Sequence, residues 1–145
     1  MFKLSTKGLY GTRLMLDLAL NYGNGPISLK KVADRQEISS KYLGNLVSDL
    51  KKERLVLANR GAYGGYELSR SPSEITLSEV VQAVEGPLEI SKCVTSSKCK
   101  RQHLCIVRDV WKEVSDKVQG TLDSITLQDM VNKQIKKQGS TSYNI

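Results

Sequence analysis

The chain has 145 residues and a formal net charge of +7, with 22 Lys and Arg against 15 Asp and Glu. That length suits one compact domain and excludes two large lobes; the basic balance draws the chain to polyanions. An apolar share of 39%, with one Trp and one Phe, excludes wholesale disorder and leaves aliphatic residues to fill the core. No run approaches the roughly 18 apolar residues of a membrane span, and no apolar stretch follows basic residues at the start, so a cytoplasmic chain with no membrane association is expected.

Ser5 or Thr6 caps a first predicted helix that runs to about Tyr22, with Leu9, Leu16 and Leu20 on one face and Met15 and Ala19 beside them. Gly23-Asn24-Gly25-Pro26 breaks it. Ser28 caps a short helix carrying Leu29, Val32 and Ala33, and Gln36-Glu37-Ile38 makes a turn. A third helix opens at Ser39 or Ser40, with Leu43, Leu46, Val47 and Leu50 at helical spacing and a polar face of Lys41, Tyr42, Asn45, Ser48 and Asp49. Two short helices joined by a tight turn, the second polar on its outer face, describe a helix-turn-helix reader.

Leu55 to Ala58 reads as a strand, Asn59 to Gly65 as a basic, glycine-containing loop, and Tyr66 to Leu68 as a returning strand, which is the layout of a wing. Gly61, Gly64 and Gly65 are expected to supply backbone angles that other residues resist. After Pro72, Thr76-Leu77-Ser78-Glu79 fits a capping box for a helix that ends at Gly86-Pro87. The stretch from Leu88 to His103 lacks helical periodicity. The next periodic run places Val107, Trp111, Val114 and Val118 on one stripe, extended by Val110 and Leu122, and needs a partner surface for which a second copy of the chain is the simplest choice. A last short helix follows Thr126, with Leu127, Met130, Val131 and Ile135 on its apolar side, and Gly139 to Ile145 reads as a frayed tail.

The expected fold is therefore mainly α: a winged helix-turn-helix DNA-binding domain over residues 1–86 with a two-stranded wing, a cysteine-rich loop over 87–106, a long dimerisation helix and terminal helix over 104–137, and a flexible tail over 138–145. Candidate DNA contacts are Ser40, Lys41, Tyr42 and Asn45 on the reader and Arg60 and Gly61 in the wing, with Lys51, Lys52 and Arg54 adding charge nearby. A solvated helix face accounts for any one of these residues; it does not account for reader, wing and charge together. No nucleophile–base pair, acidic dyad or phosphate-binding glycine motif points to an enzyme.

Three cysteines stand in the pattern Cys93-x5-Cys99-x5-Cys105, with the chain's one histidine at His103. An odd, clustered set argues against a secreted disulfide framework and for metal or redox chemistry. Zinc fingers commonly use shorter paired spacings, whereas long irregular ones suit an iron–sulfur cluster, whose negative charge Lys92, Lys98, Lys100 and Arg101 would offset. A Cys₃His zinc site and a disulfide switch remain open on spacing alone.

Together these residues resemble the bacterial IscR-like transcription regulators: Leu4-Ser5-Thr6-Lys7-Gly8 and Met15 to Leu20 in the first helix, Ile38 to Leu43 in the reader, Arg60-Gly61 with Gly64-Gly65-Tyr66 in the wing, and the triple-cysteine loop followed by Val110-Trp111. The resemblance implies a homodimer on operator DNA, a 2Fe–2S cluster held by Cys93, Cys99 and Cys105 and received from the cluster assembly machinery, and repression of cluster assembly genes. Related proteins use a 4Fe–4S centre to sense nitric oxide; a redox- or thiol-responsive regulator and a cluster carrier that does not bind DNA are the other readings. In the best-known pattern a histidine three residues after the third cysteine is the fourth ligand. Arg108 stands there, which leaves His103 or an oxygen donor for that place. Gly44 in the reader helix is a second departure, and it removes a side chain that would contact or exclude a base.

Overall fold

The structure is a computed structural model that describes residues 3–95, 100–101 and 103–143. The element order is α1 (Thr6–Leu20), α2 (Leu29–Gln36), α3 (Ser40–Lys52), β1 (Val56–Asn59), β2 (Gly65–Leu68), a 3-10 turn at Pro72–Glu74, α4 (Leu77–Glu85), the single turn α5 (Lys92–Thr95), α6 (Ile106–Ser124) and α7 (Leu127–Tyr143). Side-chain oxygens set the helix starts. Ser5, Ser28, Ser39 and Thr76 accept from the backbone N–H groups of Gly8, Lys31, Tyr42 and Glu79. At Thr76 the box is reciprocal, since the Thr76 N–H also donates to the Glu79 carboxylate at 2.9 Å.

The buried stripe of α1 is Leu14, Met15, Leu18 and Ala19; Met15 and Ala19 are core as the sequence suggests, whereas Leu9 and Leu20 are exposed and Leu16 only borders the core. Apolar residues cover much of this helix, so periodicity alone offers two stripes, and the one pressed against α2, α3 and α4 wins. Leu9 is 50% exposed. From α3, Leu43, Leu46, Val47 and Leu50 complete the other side of the core. The β1–β2 ladder is antiparallel with Val56 opposite Leu68 and Asn59 opposite Gly65. Ile27 adds a bridge on the far edge of β2, exchanging backbone bonds with Tyr66 at 2.8 and 2.9 Å.

The core extends beyond the 1–86 segment. Leu127 and Val131 of α7 are buried in it, because the strand-like approaches to α4 and α7 pair: the Leu127 N–H donates to the Ile75 carbonyl at 2.9 Å and the Leu77 N–H to the Ile125 carbonyl at 2.8 Å. α7 also continues to Tyr143, through the Gly139 at which the sequence suggests a tail; one glycine costs about 1 kcal/mol of helix propensity and does not stop a helix. α6, by contrast, contains no buried residue and leaves Ile106, Val107, Val110, Trp111 and Val118 exposed. A one-turn helix, α5, interrupts the stretch expected to lack helical order.

One ion pair, buried on its carboxylate side and exposed on its guanidinium side, ties α1 to α2 at the entrance to the reader. Asp17, 3% exposed, accepts from Arg35 Nε at 3.0 Å and Nη2 at 2.6 Å and from Gln36 Nε2 at 3.1 Å. The hydrogen bond that Arg35 donates to Asp17 raises the Arg35 pKa above its ordinary value, more than burial lowers it. Because Asp17 is the buried partner, Arg35→Ala leaves its carboxylate with only the Gln36 bond; with Arg35 itself half exposed, a cost of about 1 to 2 kcal/mol is expected in urea denaturation, and more than for Asp17→Asn. In α4, burial pushes the Glu79 carboxyl up, but the Thr76 backbone N–H and Arg70 together outweigh it and hold the pKa below 4.5. The stabilisation from Glu79 is therefore complete above pH 4.5 and lost as pH falls through the folded-state value. The stability gap between wild type and Glu79→Gln should close over that acid window in denaturation curves.

Candidate nucleic-acid interface and cysteine segment

α3 is presented outward by its own amphipathicity. With Leu43, Leu46, Val47 and Leu50 turned inward, Ser40, Lys41, Asn45 and Ser48 are exposed on the opposite side. Ser39 caps the N-terminus, where free N–H groups and the helix dipole favour a phosphate. Tyr42 differs from its neighbours. It is half-buried and packs edge-on to Tyr10 of α1, ring centroids 5.8 Å apart and planes at 86°. The Arg13 guanidinium lies 5.5 Å from the Tyr10 ring centre, so an exposed cation of α1 joins the reader's edge; nothing in the local sequence around Arg13 signals it.

The wing carries Arg60, Gly61, Ala62 and Tyr63 at its exposed tip. Its three glycines meet two different needs. Gly61 has φ +116, a left-handed value that side chains resist. Gly64 and Gly65 do not have positive φ; they are needed because a Cβ on Gly64 would fall on the Asn59 carbonyl oxygen and one on Gly65 on the Ile27 carbonyl. The Gly64 N–H closes the turn onto the Gly61 carbonyl at 3.0 Å, and Asn59 Nδ2 donates to Glu67 Oε1 at 2.9 Å across the ladder. The loop is tight, not slack. Lys51, Lys52 and Arg54 are exposed at and just past the C-terminal end of α3, as is Arg60 in the wing, so reader and wing both offer cations to a polyanion.

Cys93 lies in α5 and Cys105 at the N-cap of α6; both are half-buried free thiols. Cys99 lies outside the described residues. The Ser91 hydroxyl is 2.9 Å from Cys93 Sγ. Arg108, one turn into α6 from Cys105, donates from Nε to the Cys93 carbonyl at 3.0 Å and so ties α5 to α6. Sequence reasoning misses this role, since only the i+3 spacing from Cys105 hints that Arg108 faces the loop. The Cys105 side chain makes no capping bond at the start of α6, where the first backbone N–H groups of a helix favour negative charge. His103 is exposed two residues earlier. Among the described residues no three Cys, His, Asp or Glu side chains already converge as a metal site, but two free thiols at the start of α6 and in α5, with Lys92, Lys100 and Arg101 near them in sequence and Arg108 bonded to the Cys93 carbonyl, suit an anionic thiolate-bound group.

A capped helix pair with a basic reader face, backed by a glycine-locked wing, defines a winged helix-turn-helix transcription regulator that binds DNA. The profile of the Rrf2 family, iron-dependent transcriptional regulators, matches residues 4–133, and the chain belongs to that family. It is 36% identical over 143 residues to a putative HTH-type transcriptional regulator of Haemophilus influenzae, covering 98% of this chain and 95% of that one. It is 39% identical over 132 residues to the HTH-type transcriptional regulator IscR of Escherichia coli O1:K1, covering 91% and 82%. Among solved structures, the IscR of T. potens superposes with a TM-score of 0.79 at 39% identity, covering 94% of this chain and 91% of that one. CymR, the global cysteine regulator of B. subtilis, superposes with a TM-score of 0.76 at 38% identity, covering 92% and 98%. These are regulators, not enzymes. Among the described residues no helix is long and apolar enough to cross a membrane.

The wing geometry yields a direct test. Gly65→Ala forces the β2 backbone away from Ile27 and is expected to cost about 2 kcal/mol in urea denaturation, within the usual range for overpacking, with faster amide exchange at Ile27 and Tyr66.

Proposed function

We propose that the chain is a homodimeric repressor of iron–sulfur cluster assembly genes whose operator binding responds to a 2Fe–2S cluster held by Cys93, Cys99 and Cys105. One observation carries this reading: the cysteine segment is tied by Arg108 to the start of α6, the same helix whose exposed apolar stripe calls for a second copy. Cys93, Cys99 and Cys105 would hold the cluster, received from the assembly machinery, and it would supply an oxidation-sensitive anionic centre there. The protein's own residues do the rest. Arg108 fixes the Cys93 backbone, the α6 N–H groups and surrounding cations offset thiolate charge, and His103 is the nearest nitrogen donor in sequence to complete the ligand set.

The apolar groove of about 1370 Å³ between α1, α4 and α6 supports the dimer. Leu9, Leu16, Val81, Val114, Val118 and Leu122 line it, which gives the second stripe of α1 a surface to cover. On this reading, the arrangement of α5 against α6 sets how two readers are spaced, and two half-sites one duplex turn apart are sensitive to that spacing. Ser40, Lys41, Asn45, Arg60 and Gly61 contact DNA, and Tyr42, wedged against Tyr10, orients the helix that presents them.

Anaerobic purification with ultraviolet–visible spectra and iron and sulfide analysis tests the cluster. Colour that weakens in Cys93→Ala, Cys99→Ala and Cys105→Ala is expected; colourless protein after reconstitution overturns cluster sensing. A thiol-responsive regulator is the second reading, favoured by Arg108 standing where a histidine ligand is expected and by the likeness to CymR. It is separated by oxidising iron-free protein, which changes DNA binding only if thiols alone carry the signal. For the DNA face, Lys41→Ala and Arg60→Ala should each lower affinity about tenfold and reduce the slope of log affinity against log salt by about 1, as loss of one phosphate contact does. For the dimer, Val110→Glu should give a monomer by light scattering.

A further inference from the structure

Gly44 stands in the middle of the α3 face that displays Lys41, Asn45 and Ser48, and the fold itself does not require it there. It is not among the glycines of positive φ, and a Cβ at this position would meet nothing within 4 Å. Alanine would strengthen the helix. Gly120 of α6 shares that lack of contact, but Gly44 differs in what its missing side chain opens: a cleft of about 380 Å³ between the reader helix and the wing.

The cleft is built from Val47, Ser48, Lys51, Lys52 and Tyr66 around Gly44. Val47 is buried, and Tyr66 is locked in place by ladder pairing to Ala58 on one side and to Ile27 on the other. Ser48 brings a hydroxyl donor and Lys51 and Lys52 bring two ammonium groups, neither of which forms an ion pair among the described residues. Donors and positive charge with no amide or carboxylate among them suit a phosphodiester oxygen better than a base edge, which is read by paired donor and acceptor groups.

We propose that this cleft seats a backbone phosphate of duplex DNA, with Gly44 admitting the phosphodiester to the α3 backbone, Ser48 donating to it, and Lys51 and Lys52 balancing its charge. The proposal rests on the DNA-binding reading and deepens it, since it assigns a register-setting contact that is blind to sequence. It also gives the reader and the wing a shared anchor.

The test uses the full chain, a duplex selected for binding from a random pool, and a scrambled duplex of equal length, with affinities from fluorescence anisotropy over a range of KCl. Gly44→Ala should melt at a higher temperature than wild type yet bind both duplexes more weakly, and Gly44→Gln, which fills more of the cleft, should bind at least about tenfold more weakly than wild type. Lys51→Gln with Lys52→Gln should lower the salt slope by about 1 to 2. Gly120→Ala should raise the melting temperature without changing affinity. The phosphate seat is overturned if the Gly44 variants bind both duplexes as wild type does while Lys41→Ala still weakens binding, which leaves the DNA reading intact. It is likewise overturned if only the selected duplex loses affinity, since Gly44 would then act on bases. A wild-type chain that retains no duplex overturns both the seat and the DNA reading.

Discussion

The buried carboxylate of Asp17 is the constraint on which the reader's position depends. A charge this far from water is tolerated only with its hydrogen-bonding capacity filled, and the groups that fill it, Arg35 and Gln36, come from the last turn of α2. That turn leads through Glu37, held in a left-handed conformation at φ 55, directly into the Ser39 cap of α3. The ion pair therefore fixes the end of one helix and the angle at which the next departs. Hydrophobic burial of Val32 and Ala33 holds α2 against the core, but greasy contact alone would let it slide; the bidentate pair does not.

A second polar contact fixes the opposite end of α1. The backbone N–H and the hydroxyl of Ser5 both meet the Glu85 carboxylate, the N–H at 2.9 Å, and Gly86, at φ +87, turns the chain into the cysteine segment immediately afterwards. The entry to that segment is thus bonded to the start of α1, and its α5 turn is bonded through Arg108 to α6. From Glu85 through α1 to Asp17 and Arg35 there is a contiguous path of packed and hydrogen-bonded groups between cysteine loop and reader. The path is a spatial one; whether both of its ends bias one equilibrium is what cysteine variants measure.

Much of this architecture is legible residue by residue. The cap serines and the Thr76–Glu79 box sit where short polar side chains precede apolar periodicity, and local hydrogen bonding decides them without reference to the rest of the fold. The wing is legible for the same reason, although the roles of Gly64 and Gly65 are not, because close approach to Asn59 and Ile27 exists only once the hairpin is folded. The face of α1 is ambiguous in sequence since Leu9, Leu14, Leu16 and Leu18 offer two stripes, and only packing against α2, α3 and α4 selects between them. At the site, the spacing of Cys93 and Cys105 is visible in the chain, whereas the use of Arg108 as a tie and of Tyr42 as a wedge depends on partners 15 and 32 residues away.

The return of α7 to the core has a consequence for how the protein is made. Leu127 and Val131 complete the hydrophobic centre beneath the helix-turn-helix, so the amino-terminal segment, although it contains every reader residue, cannot close its core while it is being synthesised. A nascent chain must release residues through Val131 from the ribosome before that core can close and the DNA-binding surface become rigid. Messages cut short or shifted in frame ahead of Leu127 then yield chains with an open core, which quality control can remove before they occupy an operator.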